Sequence, residues 1–432
     1  MKYQKFSGYL FYLFLFLLPI QTVYFLCEPF IGGVKWEYGV IGVYAIDILL
    51  VVILGLALLR WLRSIKYQVL GIKYGRLELI LLALLLWVGL SIFWAPDQML
   101  ALYFFVKLLL GGGLFLMVRG MEIDVKKVVF VLLAAGVIQS GIGVAQFLYQ
   151  ESPASSILGI SSHQAWQVGS SVLKIDSGRF LRAYGTFPHP NVLGGFLGAI
   201  LVMSIMYYVS GIKYKRSWKC VTEIAAMLSG VLILFLGLIL TFSRTAWLGV
   251  ILGITVYYVV SIRYQVWEIR IRFYKILTAL ALASLVFGYI LSEQIFPRFD
   301  TVTIEREGSV SERIASLQDA QMLIGEYPLV GVGAGNFTAA IMDKNPDRPV
   351  WDIQPAHNVF LLIWSELGLV GLLLFVGFLV SSLFLILKSK IINHTSAILI
   401  VLIPSLLLDH WLWTSHFGLL FMFLLLGFAS RK

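Results

Sequence analysis

The stretch Ala356-His357-Asn358-Val359-Phe360-Leu361-Leu362-Ile363-Trp364-Ser365-Glu366-Leu367-Gly368-Leu369-Val370-Gly371 sets two chemistries side by side. A titratable, hydrogen-bonding pair, His357-Asn358, stands at the mouth of an apolar run that continues to Leu387. A run of that character reads as a helix in lipid, where about 20 apolar residues cross the hydrocarbon. Polar and ionisable groups near lipid are costly and usually serve a purpose there. The same sixteen residues therefore suggest the fold and where its chemistry lies.

The rest of the chain repeats the pattern. Of its 432 residues 59% are hydrophobic and 13% charged, and the mean hydropathy is +0.90. Such a composition excludes a soluble domain and predicts an all-α, polytopic integral membrane protein, residues 1–432 forming one transmembrane domain. Apolar runs fall at Gly8–Cys27, Gly39–Leu59, Leu77–Trp94, Leu100–Val118, Val128–Tyr149, Asn191–Val209, Glu223–Phe242, Thr245–Ile262, Ile276–Leu291, Val359–Leu387, Thr395–Leu408 and Thr414–Ala429. They predict about 12 transmembrane helices. The first run is longer than a signal-peptide core and no small-residue cleavage site follows it, so it reads as a retained span.

The net charge of +10 does not point to nucleic acid, because the charge sits between spans. With the N-terminus inside, inner segments hold Lys2 and Lys5; Arg60, Arg63, Lys66, Lys73 and Arg76; Arg119, Lys126 and Lys127; Lys213, Lys215, Arg216 and Lys219; Arg263, Arg270, Arg272 and Lys275; Lys388 and Lys390; Arg431 and Lys432. These are 22 of the 33 basic residues. Positive charge concentrates in cytoplasmic loops and meets anionic membrane lipid there, so both termini are expected inside. Cys27 and Cys220 would lie on opposite sides of the membrane, and neither has a metal-ligand neighbourhood, so no disulfide and no metal are expected.

Two outer loops are long, residues 150–189 and 292–357. In the second, Ser309-Val-Ser-Glu312 fits a capping box. Val310, Ile314, Leu317 and Ile324 recur at helical spacing until Tyr327-Pro328. A short amphipathic helix on the membrane surface or over a cavity is expected.

The candidate chemistry collects on that outer side. Arg179 and Arg182 precede Gly185-Thr-Phe-Pro-His189-Pro-Asn191, where the prolines impose an extended approach and Asn191 can cap a helix. Thr241-Phe-Ser243-Arg244-Thr245 interrupts a run of apolar residues with a basic side chain in a tight outer turn. A guanidinium with neighbouring hydroxyls suits a phosphate, because its planar fork binds oxygens in pairs. Arg313 opens the loop helix. His357 carries the side chain best matched to accepting a proton near neutral pH. Asp409-His410, in the last outer turn, can orient it or hold a sugar. Each site has a plainer reading: a snorkelling or solvated arginine, an interfacial histidine, a helix cap, a polar turn. Gly331-Val-Gly333-Ala-Gly335-Asn336 is read as a close-packing turn and not as a nucleotide loop, since no strand precedes it.

Taken in order, these elements resemble the O-antigen ligase and polymerase superfamily of bacterial surface-polysaccharide enzymes. The matching elements are Arg182 with Gly185–Asn191, Thr241–Gly249, Arg313 with Glu326–Phe337, and His357-Asn358 followed after nine residues by Gly368 and then Gly371. The last looks like the ligase signature, which also occurs loosely in polymerases and protein-glycosylating relatives. The resemblance implies a GT-C-like fold in the bacterial cytoplasmic membrane with its active site facing outward. It implies transfer of a glycan from a polyprenyl (undecaprenyl) diphosphate to a glycan, lipid or protein hydroxyl, with neither metal nor cofactor. Catalytic roles would fall to His357, Arg244, Arg313 and Arg182, and substrate contacts to Ser243, Asn358, His189, Asn191, Asp409 and His410. The competing class is a transporter of lipid-linked sugars. Such proteins tend to place polar groups at the midplane on broken helices in repeated halves, whereas these charges cluster at outer span ends.

Overall fold

The computed structural model describes residues 2–65, 75–211, 218–263, 267–299, 309–388 and 396–431. Lys66, Lys73, Lys213, Lys215, Arg216, Lys390 and Lys432 of the expected inner segments, and residues 300–308 of the second long loop, lie outside the described residues.

Every apolar run carries a helix. In chain order these are α1 (Lys2–Leu17), α2 (Ala45–Ile65), α3 (Arg76–Ser91), α4 (Gln98–Gly120), α5 (Val125–Tyr149), α6 (Pro190–Gly211), α7 (Trp218–Leu240), α8 (Arg244–Arg263) and α9 (Trp267–Ile290). A turn α10 (Ser292–Ile295), α11 (Ser309–Glu326) and α12 (Phe337–Lys344) follow, then α13 (Val359–Lys388), α14 (Ser396–Leu408), a turn α15 (Trp411–Thr414) and α16 (His416–Ala429). Among the described residues, six helical segments are long and apolar enough to cross a membrane: Gln98–Gly120, Val125–Tyr149, Pro190–Val209, Val221–Leu240, Arg270–Ile290 and Val359–Leu385. Shorter apolar helices occupy Gly8–Leu17, Ala45–Leu59, Arg244–Val259, Ile398–Leu408 and His416–Ala429. The chain is thus a helical, multi-pass membrane protein.

Capping side chains start several of these helices. Asp97 accepts from Leu100 N, Asp124 from Lys126 N and Lys127 N, and Asn358 from Phe360 N and Leu361 N, satisfying donors that a helix start leaves open. Two spans begin or end elsewhere than expected. The first helix stops at Leu17, just before Pro19, and Val23–Cys27 is instead strand β1, paired antiparallel with β4 (Ile41–Tyr44). Hydropathy alone cannot separate a short apolar strand from the end of a helix, and Val23-Tyr24-Phe25 favours the strand. Three further hairpins pair β2 (Phe30–Ile31) with β3 (Val34–Lys35), β5 (Glu151–Ser152) with β6 (His163–Gln164), and β7 (Val172–Ile175) with β8 (Gly178–Leu181).

Hydrogen bonds show which helix ends lie together. At one end Thr186 Oγ1 donates to Pro19 O, Ala183 N to Leu240 O, Asp97 N to Asn336 Oδ1 and Asn358 Nδ2 to Leu407 O. At the other, Arg119 bridges Glu78 and the Ser430 carbonyl, and Lys126 pairs with Glu223. Helix α6 is the central pillar: 94% of its apolar window is buried, against α5, α7, α8 and α14. Lipid offers helices no hydrophobic drive to associate, so close packing and small residues hold them. Gly249 of α8 illustrates this, since a Cβ there would lie 2.2 Å from the Val401 carbonyl oxygen of α14.

The loop helix α11 spans Ser309–Glu326 and ends before Tyr327-Pro328, and its polar face docks on the protein. Ser316, Asp319, Ala320 and Leu323 are buried, while Val310 and Ile314 remain exposed. Polar anchoring explains the choice: Arg348 grips both Asp319 carboxylate oxygens at 2.9 and 2.7 Å, and Ser365 Oγ of α13 donates to Ala320 O. Beyond α11, the glycine-rich turn is spliced into a break in α13. Gly368 adopts φ 67° and ψ −173°, a region essentially restricted to glycine. The break opens the helix ladder. Val332 N and Gly333 N donate to the Ser365 and Glu366 carbonyls, Trp87 Nε1 to that of Leu367, and Leu369 N to Pro328 O.

Candidate active site

The end that gathers Pro19, Asp97, Leu240 and Leu407 also holds the singled-out polar residues. The β7–β8 hairpin delivers Arg182 into the protein just after Leu181. Its buried guanidinium donates from Nε to Thr241 O (2.7 Å), from Nη1 to Ser171 Oγ (2.8 Å) and from Nη2 to Asn191 Oδ1 (2.8 Å). Asn191, in the first turn of α6, passes the chain on by donating from Nδ2 to Asp409 Oδ2 at 2.8 Å. Asp409 is buried and its other oxygen accepts from His410 N at 2.8 Å. An unbroken hydrogen-bonded line thus runs from Arg182 through Asn191 to Asp409.

Three histidines surround its end. His357 and His410 meet edge to face with ring centroids 5.0 Å apart. Ser316 Oγ donates to Arg313 O at 3.0 Å and lies 3.4 Å from His357 Nδ1. Thr414 Oγ1 lies 2.8 Å from His410 Nδ1. His189 Nδ1 accepts from Asn191 N at 3.1 Å, so in its neutral form its proton is on Nε2.

Burial, then His410 and the positive charge of Arg313, push the His357 imidazole down to about 3, against the raising influence of Asp409. Burial and Arg313 lower His410 in the same way. His189 keeps an edge open to solvent, yet crowding by protein atoms and then Arg182 lower it too. Burial would raise the Asp409 carboxyl, but the surrounding histidines and the Asn191 bond outweigh it and hold it below its usual range. Near neutral pH the cluster is therefore three neutral imidazoles around one carboxylate.

Ser243 and Arg244 lie in the neighbouring turn, tied in through Thr241, whose carbonyl receives Arg182. Ser243 Oγ contacts Thr245 Oγ1 at 3.1 Å and accepts from Ala246 N, capping α8. Arg244 Nη1 donates to Arg298 O at 3.0 Å, and Arg298 Nη2 donates to Phe242 O at 3.2 Å. Phe242 sits at φ 47°, a conformation that costs a bulky residue on the order of 1–3 kcal/mol. Two guanidiniums thus flank one strained turn. Asn358 caps α13 and fixes its approach to α14 through Leu407 O.

The structure therefore brings Arg182, His189, Asn191, His357, Asp409 and His410 into one linked cluster. Arg313 and Ser316 lie at its edge, and Ser243 and Arg244 in the adjoining turn. Sequence reasoning missed Arg298, Ser316, Thr414 and Tyr38, whose ring stands edge-on to His410 at 6.0 Å. Thr414 had a signal, the i, i+4 spacing from His410; the others come from distant segments and had none. Among the described residues, no group of three or more His, Cys, Asp or Glu side chains is arranged to hold a metal ion.

A search of curated proteins finds no match to the chain. A family model does match: residues 229–376 fit the model described as O-antigen ligase. The matched segment contains Ser243, Arg244, Arg313, His357, Asn358 and the break at Gly368, whereas Arg182, His189, Asn191, Asp409 and His410 reach the same place from outside it. Residues 229–376 are thus similar to the O-antigen ligase family, which supports a ligase-like membrane enzyme.

Proposed function

We propose that this protein transfers a glycan from a polyprenyl diphosphate carrier to an acceptor hydroxyl at the outer face of the bacterial cytoplasmic membrane, without a metal ion. What supports the reading is His357, held toward its neutral form by burial and Arg313, in a cluster that the Arg182 line enters, with Arg244 and Arg298 at the adjoining turn. The acceptor hydroxyl gives its proton to His357 Nε2 while its oxygen attacks the anomeric carbon. The bond from that carbon to the phosphate oxygen breaks and its electron pair leaves on the polyprenyl diphosphate, so configuration inverts. Charge grows on the diphosphate, and fixed cations aimed at it lower the barrier. Arg244 and Arg298, held at one turn, are the proposed cradle, with Arg313 nearer the base. Arg182 acts through Asn191 and Asp409 as a positioning residue. Ser243, Asn358, His189 and His410 shape the sugar and acceptor side.

Purified protein given radiolabelled lipid-linked glycan and an acceptor should release polyprenyl diphosphate and form a new glycoside. Movement of intact lipid-linked glycan across proteoliposomes with no release would replace the enzyme by a transporter. Ligase, polymerase and protein-glycosylating variants of the reaction share this machinery, and the acceptor consumed in the assay distinguishes them.

The twelve-span, GT-C-like topology with both termini inside belongs to the same proposal. It is supported by the charge pattern and by the two sets of joined helix ends. Ser177→Cys, in the β7–β8 turn, should react with an impermeant maleimide from outside, and Glu122→Cys only after permeabilisation. Reaction of both from one side would defeat the proposed orientation.

A further inference from the structure

A carboxylate lies about two turns inside α13, in the apolar helix that starts beside the histidine cluster. Glu366 is 2% exposed and stands in the last turn before the break at Gly368. Ionisable groups at such a depth are costly and usually functional, and the transfer chemistry makes no use of this one. Its Oε2 accepts from Trp413 Nε1 at 2.9 Å. Lys107 of α4 acts on the same charge, its ammonium 4.6 Å from the Tyr103 ring centroid. The glycine turn holds Glu366 from the main-chain side, where Gly333 N donates to Glu366 O at 2.7 Å. A buried carboxylate persists when it is paired and hydrogen-bonded in this way.

The two partners of the Glu366–Trp413 bond belong to the two elements that carry the facing imidazoles. Glu366 is on the helix that begins just after His357-Asn358. Trp413 is in α15, the turn that begins just after His410. Trp413 N donates to His410 O at 2.9 Å, and its neighbour Thr414 places Oγ1 2.8 Å from His410 Nδ1. The Trp413 ring is fully buried, 5.0 Å from the Phe104 ring and 5.5 Å from that of Phe375. Another bond, Asn358 Nδ2 to Leu407 O at 3.1 Å, joins the same stretches of chain nearer the cluster. Apolar helix faces in lipid do not by themselves choose between neighbouring registers, whereas a buried polar pair does.

We propose that Glu366 and Trp413 are positioning residues: their bond sets the register of α13 against α15 and so keeps the His357 and His410 rings, 5.0 Å apart, in their edge-to-face arrangement. The proposal rests on the glycan-transfer reading above and adds to it a pair that acts through the histidines.

The test compares variants of the full-length protein in nanodiscs. Trp413→Phe keeps an aromatic ring against Phe104 and Phe375 and removes the donor. Glu366→Leu removes the acceptor. Both should lower kcat about ten- to a hundredfold, the scale set by a small misplacement of reacting groups, with KM for lipid-linked donor nearly unchanged. Glu366→Gln should stay within about threefold of the parent, because its amide oxygen can still accept the indole N–H. In a His410→Ala background Trp413→Phe should add little, since residues acting as a unit are not additive. Parental kcat per donor-binding molecule in both disrupting variants, even with a lowered melting temperature, would reduce the bond to a tie between helices and overturn the proposal. Full additivity with His410→Ala, or Glu366→Gln as impaired as Glu366→Leu, would overturn it too. Carbethoxylation of His410 by diethyl pyrocarbonate, read by mass spectrometry against His163 of β6, gives a measure independent of transfer. Trp413→Phe and Glu366→Leu should raise the His410 rate severalfold relative to His163. A raised rate in a protein that releases no polyprenyl diphosphate would sustain the positioning bond and sink the enzymatic reading, and a parental rate in both variants would overturn the bond's role whatever the activity.

Discussion

Among the described residues, histidine meets carboxylate in two places that are built differently. Inside the helical bundle, His416 Nε2 lies 2.6 Å from Asp47 Oδ1, with side chains 2% and 14% exposed. Tyr44 stacks flat on that imidazole at 3.8 Å and 7°. At the bundle end, the Asp409 oxygens accept from Asn191 Nδ2 and from His410's main-chain N–H, and His357 reaches Ser316 through Nδ1. In the first site the carboxylate occupies the histidine directly and an aromatic ring seals one face. In the second the carboxylate is restrained by amide donors, and His357 is left partly exposed. The sealed pair joins helices; in the function proposed above, the partly exposed His357 accepts a proton.

Substituting the two histidines should separate these roles most sharply. His357→Ala should lower kcat by about 10²–10⁴, the range for loss of a general base, while donor binding and thermal stability stay near parental. His416→Ala should do the reverse, because it strands a buried Asp47 carboxylate; the folded yield drops while surviving molecules keep their turnover. Parental turnover in His357→Ala would reduce His357 to a helix cap and move the search to His189 or Asp409.

The arginines offer the same contrast at smaller scale. Arg244→Lys replaces a planar fork with a point donor and should cost about 2–4 kcal/mol in kcat/KM, the size of a lost transition-state contact. Arg182→Lys breaks the bonds to Thr241, Ser171 and Asn191 and should depress stability along with rate. Full activity of Arg244→Ala at normal protein levels would remove Arg244 from the mechanism.

Gly368→Ala probes a third kind of site, where backbone geometry alone matters. A Cβ there would lie 2.1 Å from the Leu329 carbonyl, at a φ that alanine rarely adopts. Thermal unfolding of purified protein should begin several degrees lower, with the His357 pH profile unchanged in what remains folded. An unaltered melting curve would mean that the splice between α13 and the glycine turn is dispensable.

Why some of this was legible beforehand follows from the range of each interaction. Helices in lipid are written locally, as long apolar stretches, so every apolar run carries one. Polar residues at span ends were equally visible, because lipid makes them conspicuous. Partners brought together by distant segments were not: Tyr38 against His410, or Arg298 beside Arg244, depends on how hairpins and turns fold back over the helix ends. The docking of α11 was hidden for a related reason: Arg348, 29 residues from Asp319, anchors its polar face. The β7–β8 hairpin has a local signal, Asp176-Ser177-Gly178 between two alternating segments.

The smallest expected effect is on pH dependence, and it tests the electrostatics of the end cluster with opposite signs. An imidazole must be neutral to accept a proton, so activity is retained above its pKa and lost as pH falls through it. With His357 pushed down to about 3, the acid limb of kcat/KM should lie well below the unperturbed histidine value of about 6.5. Arg313 helps hold it down and Asp409 opposes this. Arg313→Gln removes a positive neighbour, makes the imidazolium less unfavourable, and should move the limb upward. Asp409→Asn removes the opposing negative charge and should move it further down, even as the loss of positioning lowers the plateau rate. Profiles of kcat/KM carried far enough into acid to reach the parental limb, for the parent and both variants, check the signs. A parental limb near 6.5, or both variants moving the same way, would show that His357 titrates as an open surface imidazole and that the base lies elsewhere.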